Sequence, residues 1–294
     1  MADLKYALFL GCMIPYREGS YEVSARKVAK LLGLELVDMP DANCCGLPLD
    51  PANHEMALSL AARDLCIAEK MGLNILALCN GCTGFLKKAD KKLKEDRDLR
   101  KDVNAKLSTI GMEYQGKIEV KHVANVLTED VGLERLKTYV KRPLSDITVA
   151  PYAGCHIFRP SKIMGVPNPL NPQILNNLVD VTGAKTVEYV DQFQCCGASE
   201  GSIDNKIPIY LAREKLRNAL VAGADVMVTL CPTCHQTLDG NQSLVERTFQ
   251  ERYGLPVLHY TQLLGLAMGL TPDELAISEL RVKPTKVLEA LNKA

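Results

Sequence analysis

The chain has no tryptophan, and aromatic residues make up only 5% of its 294 positions. That is too little ring surface for a platform that stacks the bases of single-stranded nucleic acid. Charge of neither sign prevails, since 35 Lys and Arg offset 35 Asp and Glu. No global field therefore draws the chain to nucleic acid or an anionic membrane. No apolar run approaches the roughly 18 residues that mark a bilayer-spanning helix. The phosphate-cradling glycine motifs and the nucleophile elbow are missing too. With no visible site for a nicotinamide or a flavin, electrons for any redox chemistry must arrive from another protein of a complex. The N-terminal YALFLGCMI is apolar but short, without a basic segment before it or a small-residue cleavage site after it. It reads as a buried strand and not as a signal peptide. The expectation is a reducing, cytoplasmic setting, where clustered cysteines bind metal more often than they form disulfides.

What the chain does have is cysteine, 11 residues of it, and ten fall into two sets of five. Cys12, Cys44, Cys45, Cys79 and Cys82 read C-x31-CC-x33-C-x2-C; Cys155, Cys195, Cys196, Cys231 and Cys234 read C-x39-CC-x34-C-x2-C. The repeat extends beyond them. YALFLGC (6–12) matches TVAPYAGC (148–155), NILALCNGC (74–82) matches VMVTLCPTC (226–234), and KIEVKHVANVL (117–127) resembles LPVLHYTQLL (255–264). A duplication accounts for this, with halves at 1–142 and 143–294 and a hinge near Lys141-Arg142-Pro143. A content of 47% hydrophobic and 24% charged residues is that of a globular protein, and each half is large enough to bury a core.

Short apolar runs alternate with helical patterns, which predicts an α/β fold with mostly parallel sheets. In the first half strands are expected at 5–11, 34–38, 75–78 and 117–122. Helices are expected at 20–32 (capped by Ser20, ended by Gly33), 52–71, 82–108 and 123–140. In the second half strands fall at 146–152, 185–190, 225–230 and 256–259, with helices at 170–182, 204–222 and 233–251. All ten cysteines then follow the carboxyl ends of strands, where open α/β sheets carry their ligand sites. TPDE (271–274) predicts a helix start and 286–294 a short amphipathic helix that packs on its own core, with a surface appendage or docking piece as the competing reading.

Thiolates are soft ligands that select zinc, Cu(I) or iron–sulfur clusters. A structural zinc or a cubane cluster takes four ligands, and five per half is one too many for either. Iron–sulfur is therefore the leading reading, with zinc in one half as its rival. Cys66 has no counterpart and sits mid-helix, as a buried structural thiol does. His156, directly after Cys155, is placed to donate a proton; a satisfied structural histidine is the competing reading. Arg159 and Lys162 in HIFRPSK form a cationic patch suited to an anionic substrate, or an ordinary solvated loop. Arg17 is a weaker version in the first half. His235 is equally open, His122 and His259 at strand ends read as structural, and the charged run 87–102 reads as a solvated helix face.

At the level of these motifs, the doubled CCG, FLGCMIPYRE and PYAGCHIFRPSKIMG, the chain resembles the methanogen-type B-subunit family of heterodisulfide reductases along almost its whole length. Relatives with the same five-cysteine pattern serve thiol:fumarate reduction and lactate or glycolate oxidation. The GCHIFRP context and the lack of fused CxxCxxCxxxCP segments favour the heterodisulfide reductase group. The resemblance implies two duplicated parallel-sheet CCG domains related by pseudo-two-fold symmetry. It implies two noncubane [4Fe-4S] clusters, held by the first and second sets of five cysteines. The implied reaction reduces the mixed disulfide of coenzyme M and coenzyme B to the two thiols. The implied partners are the flavin-bearing and the ferredoxin-like components of such a reductase, and through them a hydrogenase or formate dehydrogenase. His156 would then protonate a product thiolate, and Arg159 and Lys162 would contact a sulfonate or phosphate.

Overall fold

The computed structural model describes residues 4–293. Strand β1 (Lys5–Phe9) is buried on both faces, with Tyr6 and Leu8 in one apolar layer and Ala7 and Phe9 in the other. Such two-sided burial is what a central parallel strand requires. It lies between β2 (Glu35–Asp38) and β3 (Asn74–Ala77), and β4 (Val120–His122) completes the order β2-β1-β3-β4, all parallel. The second half repeats this with β5 (Thr148–Tyr152), β6 (Lys185–Thr186), β7 (Val226–Thr229) and β8 (Val257–His259), in the order β6-β5-β7-β8, again all parallel. The same order and polarity in both sheets make the fold a duplicated α/β architecture.

The helices follow the sequence with local corrections. Gly33 and Gly72 end their helices in the left-handed conformation, at φ 73 and 66, which costs a glycine no Cβ clash. Ser20 does not cap, because the helix begins one residue earlier at Gly19 and Ser20 is buried inside it. The expected 82–108 helix is two, Asn80–Glu95 and Arg97–Ser108. Asp96 leaves helical geometry and accepts a hydrogen bond from the Leu99 amide at 3.0 Å, which starts a new helix. The expected 233–251 helix is cut by a π-helical turn at Gln236–Gly240. β6 stops after two residues, and Tyr189 then turns under β5 to donate its hydroxyl to Pro151 O at 3.2 Å. TPDE starts no α-helix; Thr271 and Glu274 do form the reciprocal capping bonds, but the chain continues in turns. The terminal helix Thr285–Lys293 buries Val287 and Leu291 against the core.

The halves meet reciprocally. Helix Gly19–Leu32 of the first packs on helix Tyr260–Ala267 of the second, and helix Ile174–Val181 of the second packs on helix Leu133–Thr138 of the first. One apolar layer runs through both pairs, from Tyr21 and Val28 to Leu178, Leu263 and Leu264. No helix among the described residues is long and apolar enough to cross a membrane.

Candidate metal centre

In each half, three loops at the carboxyl ends of the strands bring five cysteines together. β1 runs into Cys12, the chain beyond β2 reaches Cys44 and Cys45, and β3 runs into Cys79 and Cys82; the second half repeats this with Cys155, then Cys195 and Cys196, then Cys231 and Cys234. The thiols are neighbours in series: Cys12 beside Cys44, Cys44 beside Cys45, Cys45 beside Cys82, and Cys82 beside Cys79. On the other side Cys155, Cys195, Cys196, Cys234 and Cys231 form the same series. Cys79 and Cys231 are neighbours in turn, so the ten thiols follow one another in a line across the junction of the halves. The line is buried at its centre and opens at Cys12, Cys44, Cys155 and Cys195.

Such a line cannot ionise all at once. Contact with the Cys12 and Cys45 thiols holds Cys44 down to about 2, and the Cys44 thiolate in turn pushes Cys45 up to about 12. Cys231 and Cys196 are held far below the usual thiol range by their flanking thiols, while Cys79, Cys82 and Cys234 are pushed well above it. Protons hold apart charges that a metal cation would neutralise more fully, because metal binding replaces thiol protons. The backbone leaves room for that exchange. Gly11 (φ +65) and Gly154 (φ +80) face the sulfurs, and a Cβ would lie 2.9 Å from Cys82 Sγ at the first and 3.3 Å from Cys234 Sγ at the second. The residues present therefore fit a sulfur-ligated metal group in each half.

The predicted accessory residues are placed unequally. His156 is half-buried, and its ring lies against the first half: a Cβ on Gly81 would meet its Nδ1 at 3.5 Å. Arg159 and Lys162 are exposed, and Arg159 folds back over the Phe158 ring. Arg17 is also exposed and stacks on its neighbour Tyr16. Cys66 is buried in its helix and pushed up to about 12 by burial. His122 caps the segment after β4, accepting from the Ala124 amide at Nδ1, and its Nε2 lies 3.3 Å from Leu78 O and 3.2 Å from Leu230 O. Those carbonyls immediately precede Cys79 and Cys231, so His122 fixes the two backbones at the sulfur junction. Asn80 adds a second tie, donating from Nδ2 to Ala153 O at 2.6 Å across the halves.

Two features escaped the sequence reading. Lys215 is buried on helix Lys206–Val221, with its ammonium over the Tyr152 ring at 4.3 Å and donating to Asp191 O. Burial pushes it down to about 8 against the opposing pull of Cys234 and Cys196. The clue was periodicity, since Lys215 falls on the face defined by Ala212, Leu216 and Ala219. The second feature is Glu18, buried between His235 Nδ1 at 2.7 Å and His259 Nε2 at 3.1 Å. The pair of imidazoles outweighs burial and holds Glu18 down to about 2. Residues far apart in sequence make this contact, and no local pattern announces it.

The fold and the thiol line together define a duplicated, cysteine-rich α/β protein with its sulfurs gathered at the seam of two parallel sheets. The CCG cysteine-rich domain model matches residues 6–87 and 149–239; the chain belongs to that family and, within it, to the B-subunit group of heterodisulfide reductases. The B subunit of a ferredoxin:CoB-CoM heterodisulfide reductase from Methanosarcina mazei is 38% identical over 97% of this chain and 96% of its own. The 8-methylmenaquinol:fumarate reductase membrane anchor subunit of Wolinella succinogenes is 32% identical over 96% of this chain and 99% of its own. A hypothetical protein from Helicobacter pylori of known crystal structure shares the fold, with a TM-score of 0.79 at 16% identity over 96% of this chain and 53% of its own.

Proposed function

We propose that this chain is the disulfide-reducing iron–sulfur component of a heterodisulfide reductase, acting on the coenzyme M–coenzyme B mixed disulfide. The observation that carries this is the line of ten neighbouring cysteine thiols, five per half, with Cys79 and Cys231 side by side at the junction. Cys12, Cys44, Cys45, Cys79 and Cys82 would hold one [4Fe-4S] cluster and Cys155, Cys195, Cys196, Cys231 and Cys234 the other, both noncubane by family likeness. Clusters there would supply single electrons and iron able to receive thiolate sulfur.

The chain's own residues do the rest. The sulfur line opens to solvent only at its outer members, so a disulfide approaches from that side while the apolar layers keep water from the centre. His156 holds the proton for a product thiolate, poised against the CNGC turn of the first half. Arg159, folded over the Phe158 ring, and Lys162 are both exposed and attract the sulfonate or phosphate of the substrate. Electrons come from the flavin-bearing and ferredoxin-like components of the complex, fed by a hydrogenase or formate dehydrogenase, in the cytoplasm.

The likeness to the fumarate reductase protein favours one second reading, a thiol-coupled or quinol-coupled fumarate reductase component. Anaerobic metal analysis of the purified chain, followed by EPR after oxidation with coenzyme M, tests the first. About eight iron and eight sulfide per chain are expected, with a paramagnetic signal that depends on that thiol. About four iron with one zinc would instead indicate an electron-relay scaffold. A signal indifferent to coenzyme M would favour the fumarate branch. His156→Ala with a full iron content should lose turnover; unchanged turnover would remove His156 from the scheme.

A further inference from the structure

Away from the cysteines, the duplication is broken after the last strand of the second half. In the second half the segment after Leu270 returns across the fold and is seated on three residues. Asp239 accepts hydrogen bonds from the Arg281 and Val282 amides at 2.8 and 3.2 Å. Gln262 donates to Leu275 O at 3.1 Å, and Leu275 lies so close over Gly265 that a Cβ there would meet its Cδ2 at 2.5 Å. Counted from Cys82 and Cys234, Asp239 corresponds to Lys87. Counted from His122 and His259, Gln262 and Gly265 correspond to Asn125 and Thr128.

In the first half, Lys87, Asn125 and Thr128 all line an open groove of about 920 Å³. The groove runs along β4, the outermost strand of its sheet, and its apolar floor includes Leu133, Ile157, Phe158 and Ile174. Three of its four lysines are already neutralised: Lys91 by Glu95, Lys94 by Asp90 and Lys121 by Asp130. Glu119 and Glu129 line the same groove and act on Lys87 at longer range, but among the described residues no carboxylate stands within ion-pair distance of it, and partial burial pushes its ammonium below the usual lysine range.

We propose that this groove is the seat of an extended, acidic segment of a partner polypeptide, in the position that the chain's own tail fills in the other half. The charge inversion from Asp239 to Lys87 sets the occupant's chemistry. Where Asp239 receives backbone amides of the tail, Lys87 offers a cation to a carboxylate. An aliphatic side chain would then lie on the floor as Leu275 does over Gly265. β4 is the last strand of its sheet, and the proposed segment would pair with main-chain groups along its outer edge. This assignment rests on the fold alone and stands or falls separately from the redox reading.

The test uses the chain co-purified with the other proteins of its native complex. A zero-length carbodiimide reagent joins Lys87 to any carboxylate in contact with it, and peptide mapping identifies the residue. The expected product links Lys87 to an Asp or Glu in an extended segment of a partner polypeptide. Lys87→Glu should weaken assembly roughly tenfold or more, since like charges would then face each other, while Lys87→Arg and the control Lys101→Glu should not. The cross-link on unmodified protein remains decisive should a variant fold poorly. The proposal is overturned if Lys87 is acetylated as fast in the complex as in the isolated chain with no cross-link. It is equally overturned if inorganic phosphate or a phosphorylated thiol shields Lys87 in the isolated chain, because the groove would then belong to a small anion.

Discussion

Lys215 shows how much a single buried residue adds to the thiol line. Its ammonium has given up water for two tyrosine rings and one carbonyl, and burial alone would favour the neutral amine. The nearest compensation is the negative charge of the second-half sulfurs, Cys234 and Cys196. A fixed cation at that place should favour the more reduced, more negative state of whatever metal group those sulfurs hold. Removing it with Lys215→Met keeps the volume and deletes the charge. Roughly 1–2 kcal/mol at an effective dielectric near 20 corresponds to a potential lower by about 40–80 mV for one electron. The second-half centre should shift and the first should not, as read by EPR at poised potentials. Equal shifts in both centres, or none, would mean that Lys215 is only a packing residue. Gly154 is set by geometry in the same neighbourhood, since a Cβ would press on Asn80 Nδ2 at 2.6 Å as well as on Cys234 Sγ. Its identity was readable as a glycine beside a cysteine, but the cross-half contact with Asn80 was not.

Among the elements, strands were the easiest to read and helix boundaries the hardest. β1, β3, β5 and β7 are continuous apolar runs because both of their faces are covered, and that pattern needs no partner to be visible. The break at Asp96 was hidden because the run EDRDLR has neither glycine nor proline to interrupt a helical pattern. Only the Asp96 side chain, turned back to the Leu99 amide, ends one helix and starts the next. Asp96→Ala should cost about 1 kcal/mol, the usual penalty for losing an N-cap, with Asp96→Asn nearly neutral. Denaturant midpoints of the two variants at equal slope provide the check. The charged face from 87 to 102 is mostly solvated, as its composition predicted. Lys87 is half-buried, as are Lys88 and Asp90, and the segment 157–174 of the other half lies beside it.

At the scale of the whole molecule, the two halves are one folding problem. Tyr21 stacks on His259 at 3.9 Å and donates to Leu230 O, Ser24 and Thr261 share a hydrogen bond at 2.7 Å, and Glu18 sits between two imidazoles of the other half. Separated, the first half would expose the apolar face of helix Gly19–Leu32 and leave Glu18 without its partners. Residues 1–142 produced alone should therefore self-associate and bind a hydrophobic dye, as exposed patches of this kind do. A monodisperse, cooperatively folding fragment would argue that the seam adds little to stability.

The sequence by itself determined the duplication, the α/β class and the placement of ten cysteines after strand ends. Those properties follow from local periodicity and spacing, and they are written along the chain. Tertiary structure alone decided which thiols are neighbours across the seam, that His156 of one half leans on the other, and that Glu18 meets His235 and His259. It also decided that the tail is seated on Asp239 and Gln262 of the second half while the groove at Lys87 in the first stays open. Each of these contacts joins residues distant in the chain, and such contacts are specified by how two packed faces align, which no local pattern encodes.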